Sequence, residues 1–305
     1  MVVTDCPGGC GVAWPVRRPA AVPCLAVSTA TDDRPVSDAG ASLPAHVQSA
    51  FGVRETEAQP IHYGGLPGFR CGDVVIRPVR SNVVAAWSAR VLDTLKAEKL
   101  RIARPQRSSD RRWVVAGWSA CQYLPGEPQG RYQDLVAASL RLHAATASVR
   151  RPRFMDDQDD LLSRADAAAW GECTINLDPS AGGDLFDELA VRRRQLRLPA
   201  QVVHGDLFGT VLFDRSDPRN APAIVDLVPF WRPVEWAAAV IVVDALAWGG
   251  ADASLLRTWS HLDGWPQAML RALMFRVALH AQHPGATAVT LRGLEHAAEL
   301  VLPTL

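Results

Sequence analysis

The apolar positions of this chain fall into two regimes: short β-branched runs near 61–79, 112–124 and 202–226, and three-and-four spacing in most of what lies between and after them. Pro44 to Gly52 reads as a short amphipathic helix closed by its glycine. Ile61 to Arg70 and Val74 to Val79 read as two strands joined by the turn Cys71-Gly72-Asp73. Asn82 to Lys99 carries Val83, Val84, Trp87, Val91, Leu92 and Leu95 on one helical face. Arg112 to Trp118 and Ala120 to Leu124 read as strands that run into the linker Pro125-Gly126. Arg131 to Val149 predicts a helix with Leu135, Val136, Leu140, Leu142 and His143 inward, His143 as a core histidine. Helices follow over Met155 to Glu172 and Leu185 to Leu198. Val234 to Gly249 is apolar almost throughout and predicts a buried helix, and Ala253 to Ser260, Trp265 to His283 and Leu291 to Val301 complete a helical C-terminal half.

Two apolar runs end on acids. Val202 to Phe213 reads V-V-H-G-D-L-F-G-T-V-L-F, and Ala223 to Asp226 reads A-I-V-D. Asp206 follows a glycine and sits in a turn, where His204 can fix it by hydrogen bonding; Asp226 stands at the next strand end. Carboxylates on adjacent strand ends suit phosphoryl transfer, in which one orients and deprotonates a hydroxyl while the other holds Mg²⁺ against phosphates. A plain hairpin with acidic tips has the same pattern. Gly64, Gly65 and Gly68 interrupt the first strand pair, and bare backbone of that kind serves either turn geometry or close approach to phosphate.

His204-Gly205-Asp206-Leu207, Gly209, Val211-Leu212-Phe213 and Ile224-Val225-Asp226 resemble the aminoglycoside phosphotransferase and choline-kinase-like branch of the protein-kinase-like fold. The sequence is most similar to small kinase-like proteins that carry W-R-P after the metal aspartate, here Trp231-Arg232-Pro233. The resemblance spans Leu43 to Leu305 and implies an α+β, bilobal architecture. A small lobe of sheet plus one helix would cover 43–124, and a larger, mainly helical lobe 125–305. It implies Asp206 as catalytic base, Asp226 as Mg²⁺ ligand with Thr210 beside it, and Asp244 as support for the His204-Gly205-Asp206 loop, accepting from His204 or from backbone amides. It places Gly64, Gly65, Gly68 and Arg77 over the phosphates of ATP and Gln122, Tyr123 and Leu124 at the adenine-binding hinge. The function implied is an ATP-dependent kinase acting on a small-molecule hydroxyl, with ATP and Mg²⁺ as cofactors.

Three positions depart from the family pattern. A phosphate-clamping lysine is replaced by Arg77, bulkier and planar. Arg90 stands where the clamp's helix glutamate is expected, with Asp93 as a substitute partner for Arg77 and Arg90 itself as a solvated charge. Thr210 occupies the usual place of an asparagine metal ligand. Together they leave open a catalytically weak pseudokinase that binds nucleotide or a partner. Asp156, Asp157, Asp159 and Asp160 read as acids complementing a helix start, or as a surface for a cationic substrate; Arg192-Arg193-Arg194 reads as a solvated face.

Composition narrows the classes further. A 305-residue chain with 48% apolar residues can bury a large core, and zero formal net charge lacks the basic footprint of nucleic-acid or membrane-surface binding. The only lysines are Lys96 and Lys99, near the end of the predicted second helix, so no lysine can take the place of Arg77 by a small register shift. Six scattered cysteines indicate neither zinc nor a disulfide framework. No apolar run is long enough for a membrane span, and a cytoplasmic protein is expected. Residues 1–42 are Pro-, Gly- and Ser-rich and read as a disordered extension; Arg17-Arg18 with Pro19 to Ala30 mimics a secretory signal only faintly.

Overall fold

Strand alternation places Val75 and Arg77 on one face of the third strand and Val74 and Ile76 on the other, so this short segment serves two different layers. The computed structural model describes residues 42–305. The rest of the expected extension, its arginine pair, and Cys6, Cys10 and Cys24 lie outside the described residues. The chain opens with helix α1 (Ala45–Ala50) and strands β1 (Gln59–Tyr63), β2 (Leu66–Cys71) and β3 (Val74–Pro78), then helix α2 (Asn82–Thr94). Short strands β4 (Arg101–Ile102), β5 (Pro105–Gln106) and β6 (Val114–Val115) precede β7 (Trp118–Gln122). The sheet runs β1-β2-β3-β7-β5, antiparallel throughout, with β6 paired to β7. On one face Val47 of α1 and Phe51 just after it pack on Phe69, Ile76 and Trp118; the other face turns to the helical part.

The helical part begins with α3 (Tyr132–Thr146), α4 (Leu161–Trp170) and α5 (Gly183–Ala190). Strands β8 (Gln201–His204), β9 (Ala223–Ile224) and β10 (Pro229–Arg232) follow, then α6 (Val234–Trp248), α7 (Ala253–Thr258), α8 (Trp265–Gln282) and α9 (Ala288–Val301). Residues Trp236 to Leu246 are buried all round, because α6 is packed against α3, α8 and α9. Phe230, Trp236 and Phe275 meet edge to face or tilted with centroids 5.2–5.6 Å apart and tie β10, α6 and α8 together. A small antiparallel sheet with a larger helical part is the α+β arrangement expected.

Several elements differ from expectation for identifiable reasons. Helix α2 stops at Thr94, short of Lys96 and Lys99, because the Arg104 guanidinium takes the carbonyls of Leu92, Asp93 and Leu95 at its C-terminus. Helix α4 starts only at Leu161, where Asp160 caps it in a reciprocal pair with Ser163; of the upstream acids, Asp156 pairs with Arg151 and Asp159 with Arg164. Helix α5 ends at Ala190, where tertiary contacts take over: Arg193 donates to the Ala168 carbonyl and the Arg194 amide to Gln267. The cluster expected to be solvated is therefore partly structural. The acidic strand ends are not partners in one hairpin, since β8 pairs with β10 while β9 pairs in parallel with β4. Among the described residues, no helix is long and apolar enough to cross a membrane.

Candidate functional site

His204 is the last residue of β8, and the backbone leaves the strand there into the loop that carries Asp206. Its imidazole is fully buried and contacts both acids of the motif. The Asp206 amide donates to Nδ1 at 3.1 Å, which requires that nitrogen to be unprotonated; in the neutral ring Nε2 then carries the hydrogen and donates to Asp226 Oδ1, also at 3.1 Å. One ring thus sets the spacing of Asp206 and Asp226, whose side chains remain 16% and 15% exposed. Burial by itself would raise the Asp226 carboxyl, but the His204 hydrogen bond and the charges of Arg77 and Arg80 outweigh it and hold the group below its ordinary value.

His143 of α3 supports this arrangement from below. Its Nε2 accepts the His204 amide at 2.9 Å, and its other nitrogen faces Ser139 Oγ at 3.3 Å. Burial, with the nearby His204, pushes its pKa down from 6.5 to about 3, so it is a neutral core histidine. Below pH 6.5 the unfolded chain therefore binds a proton that the folded chain refuses, and this contribution to stability is full above 6.5 and lost on acidification towards 3. His143→Gln, whose amide oxygen can still accept from His204, is expected to lessen the loss of stability between pH 7.5 and 5 by about 2 kcal/mol in denaturant titrations. Asp166 and Asp244, raised to about 6 by burial, work in the opposite sense, so the comparison with wild type isolates the histidine.

Asp244 does not meet the partner expected for it. Instead of His204 or the loop amides, it takes Arg276 of α8 in a two-pronged pair, Nε to Oδ1 at 2.7 Å and Nη2 to Oδ2 at 2.5 Å. The same Nη2 reaches Asp206 Oδ1 at 2.8 Å. Asp244 therefore acts on the loop through a guanidinium. Arg276 is 4% exposed and is held protonated by its two carboxylates against the cost of burial. Sequence reasoning flagged Asp244 as a buried acid in need of a partner but passed over Arg276, although a lone arginine in Leu273-Met274-Phe275-Arg276-Val277-Ala278-Leu279 carries the same signal.

Arg77 crosses from the sheet, and the geometry shows how. Gly68 stands opposite it on β2, and a Cβ there would lie 2.7 Å from Arg77 Cγ, so only a bare backbone lets the side chain lie flat. Its guanidinium donates to the Val225 carbonyl at 2.9 Å and lies 3.5 Å from the Tyr63 carbonyl. Asp93 is exposed and is not its partner, and Arg90 lies exposed along its own helix. A second cation escaped sequence reasoning: Arg80, just before the Ser81 cap of α2, feels the charges of Asp206, Asp160 and Asp226, which oppose its loss of hydration. Its only sequence signal is a second arginine three residues after Arg77.

The residues expected at the nucleotide are drawn together but already engaged. Gly64 and Gly65 both have positive φ and make the two-residue β1–β2 turn. A Cβ on Gly64 would sit 2.5 Å from Val225 Cγ2 and 3.0 Å from the Thr210 carbonyl, so the hairpin tip rests directly on the loop. Of the expected hinge, the Gln122 amide donates to the Arg104 carbonyl, Tyr123 to that of Asp73, and Leu124 to the Tyr63 hydroxyl. The Thr210 side chain, expected beside the metal, is buried. Its hydroxyl donates back to the carbonyls of Asp206 and Leu207 within a buried turn. Among the described residues no three His, Cys, Asp or Glu side chains converge to hold a metal, and arginines face the carboxylates. In this closed arrangement Tyr63 and the hairpin tip pack against the linker and the loop, and Arg77 and Arg80 face Asp226.

No protein-family model matches the chain, and no curated protein matches it in sequence. Solved structures do match in fold. A microcompartment-associated aminopropanol kinase aligns with a TM-score of 0.53 at 12% identity, over 84% of this chain and 94% of its own. A choline/ethanolamine kinase family protein from Mesorhizobium loti aligns with a TM-score of 0.50 at 16% identity, over 84% and 91%. The sheet, the helical part and their order along the chain are thus those of a kinase-like fold.

Proposed function

We propose that this protein is a phosphotransferase that moves a phosphoryl group from ATP to a hydroxyl of a small molecule, with Asp206 as the group that orients the hydroxyl and takes its proton. The observation that carries the reading is the single imidazole of His204 that spaces Asp206 from Asp226 at the junction of sheet and helices. Arg276 fixes one Asp206 oxygen, which leaves the carboxylate a defined orientation for an incoming hydroxyl. The closed form described above is a resting state in this reading, and no chemical step takes place in it.

A second reading, a kinase-fold protein with little or no catalysis that acts through a partner, is favoured by the number of arginines at the site. Arg77, Arg80 and Arg276 oppose Asp206, Asp226 and Asp244, so charge is balanced without a metal. Measuring ADP release with Mg²⁺ against a panel of amino alcohols and sugars separates the two. Turnover that falls about 100-fold or more in Asp206→Asn, with ATP affinity unchanged, supports the transferase. Absence of turnover with every acceptor, in the wild type and in variants that bind nucleotide, supports the second reading.

A further inference from the structure

Tyr63 is the last residue of β1, immediately before the glycine turn, and it is 2% exposed. Its ring joins one apolar cluster with Val75, Ala103 and Cys121 from the sheet side and Leu212, Ala223 and Val225 from the helical side. That cluster is the seam between the two parts. The phenol oxygen accepts the Leu124 amide at 2.8 Å and lies 3.4 Å from the Leu124 carbonyl and 3.5 Å from that of Gln122, which share its proton. The Tyr123 ring lies beside it, with centroids 5.6 Å apart. A flat aromatic ring between apolar walls, accepting from one linker amide and donating to a linker carbonyl, uses the contacts that an adenine-type edge would use, with a ring nitrogen accepting beside an amino group that donates.

We propose that Tyr63 is a built-in plug of this slot, so that the protein admits a planar heteroaromatic ring of the adenine type only when the phenol leaves. The slot's location rests on the phosphotransferase reading of the linker, but the plug does not require catalysis. A ligand that binds only the unplugged form has its affinity reduced by the fraction of molecules in that form. Loosening the plug therefore tightens binding without adding a contact. Arg77 reinforces the closed state, since it lies near the Tyr63 carbonyl and holds the Val225 carbonyl.

The test is calorimetric titration of the full chain with ADP, with and without Mg²⁺, for wild type, Tyr63→Ala and Tyr63→Phe. Tyr63→Ala empties the slot and is expected to bind ADP at least about 10-fold more tightly than wild type. Tyr63→Phe keeps the ring but loses its bonds to the linker and should fall between them, and it decides the matter alone if the alanine variant does not fold. Equal or weaker binding by the variants overturns the plug, as does binding by none of the three proteins. A Tyr63→Ala protein that binds ADP tightly but transfers phosphate to no acceptor leaves the plug standing and removes the transferase reading. A wild type that turns over and binds ADP as tightly as the variants does the reverse.

Discussion

Arg276→Met is expected to lose about 3–5 kcal/mol of folding stability at pH 7.5, because it leaves Asp244, 1% exposed, as a buried carboxylate without its partner. Methionine keeps the stem volume, so a cavity contributes little and the loss reports the uncompensated charge. Denaturant midpoints measure the effect, and two controls identify its cause. Asp244→Leu added to Arg276→Met removes the orphan and should recover most of the loss, since a buried ion pair is often replaceable by apolar side chains of similar size. The deficit should also shrink as the pH falls. Burial already raises the Asp244 carboxyl to about 6 with Arg276 opposing; without that opposition its folded-state pKa climbs further from 3.8, so the folded variant binds a proton over a window in which the unfolded chain does not. A deficit that is independent of pH and survives the double substitution would show that Arg276 acts by packing alone.

Arg232→Met should cost about 3 kcal/mol by the same physics at a less sealed site. Arg232 ends β10 and reaches back to α4 and the turn after it, where Nη2 meets Asp166 Oδ2 at 2.7 Å and Nη1 meets Glu172 Oε1 at 2.6 Å, with the guanidinium 4.6 Å from the Trp170 ring centroid. Glu172 is 55% exposed and can turn to water, whereas Asp166 at 11% cannot, so Asp166 carries the loss. Hydrogen exchange should rise in residues 161–170 ahead of α6, because Arg232 is the polar link between that helix and the strand. Uniform exchange across both helices would contradict this. The Trp-Arg-Pro sequence thus has a structural reading in this protein: its arginine holds α4, and its proline precedes the first turn of α6.

Much of the architecture was legible because periodicity reports how many sides of an element are buried. The run from Trp236 to Leu246, apolar except for Asp244, could only be a helix packed all round, and the stripe of Leu135, Val136 and Leu142 only a helix with one inner face. The motif around Asp206 and Asp226 was legible because a carboxylate after an apolar strand needs a reason to be there. Helix ends were less so. Arg104 stops α2 from ten residues beyond it, and Gln267 draws the chain after α5 away from helical geometry, and neither partner is near in sequence to the residues it acts on. Register was also hidden: that β8 pairs with β10, and β9 with β4 from the sheet side, is decided by which edges meet after the helices have packed.

By itself the amino-acid sequence determined the order of elements and the acids Asp206, Asp226 and Asp244, because hydrophobic spacing and the cost of burying charge are local properties of the chain, and its family resemblance implied the α+β class. Only the tertiary structure decided which groups answer those acids. Arg276 comes from 32 residues beyond Asp244 and Arg80 from the far side of the seam, while Tyr63, from a strand end that carries no signal of its own, answers the linker instead. Each meets its partner through packing between the sheet and the helices, a contact between distant segments that no short window of sequence encodes.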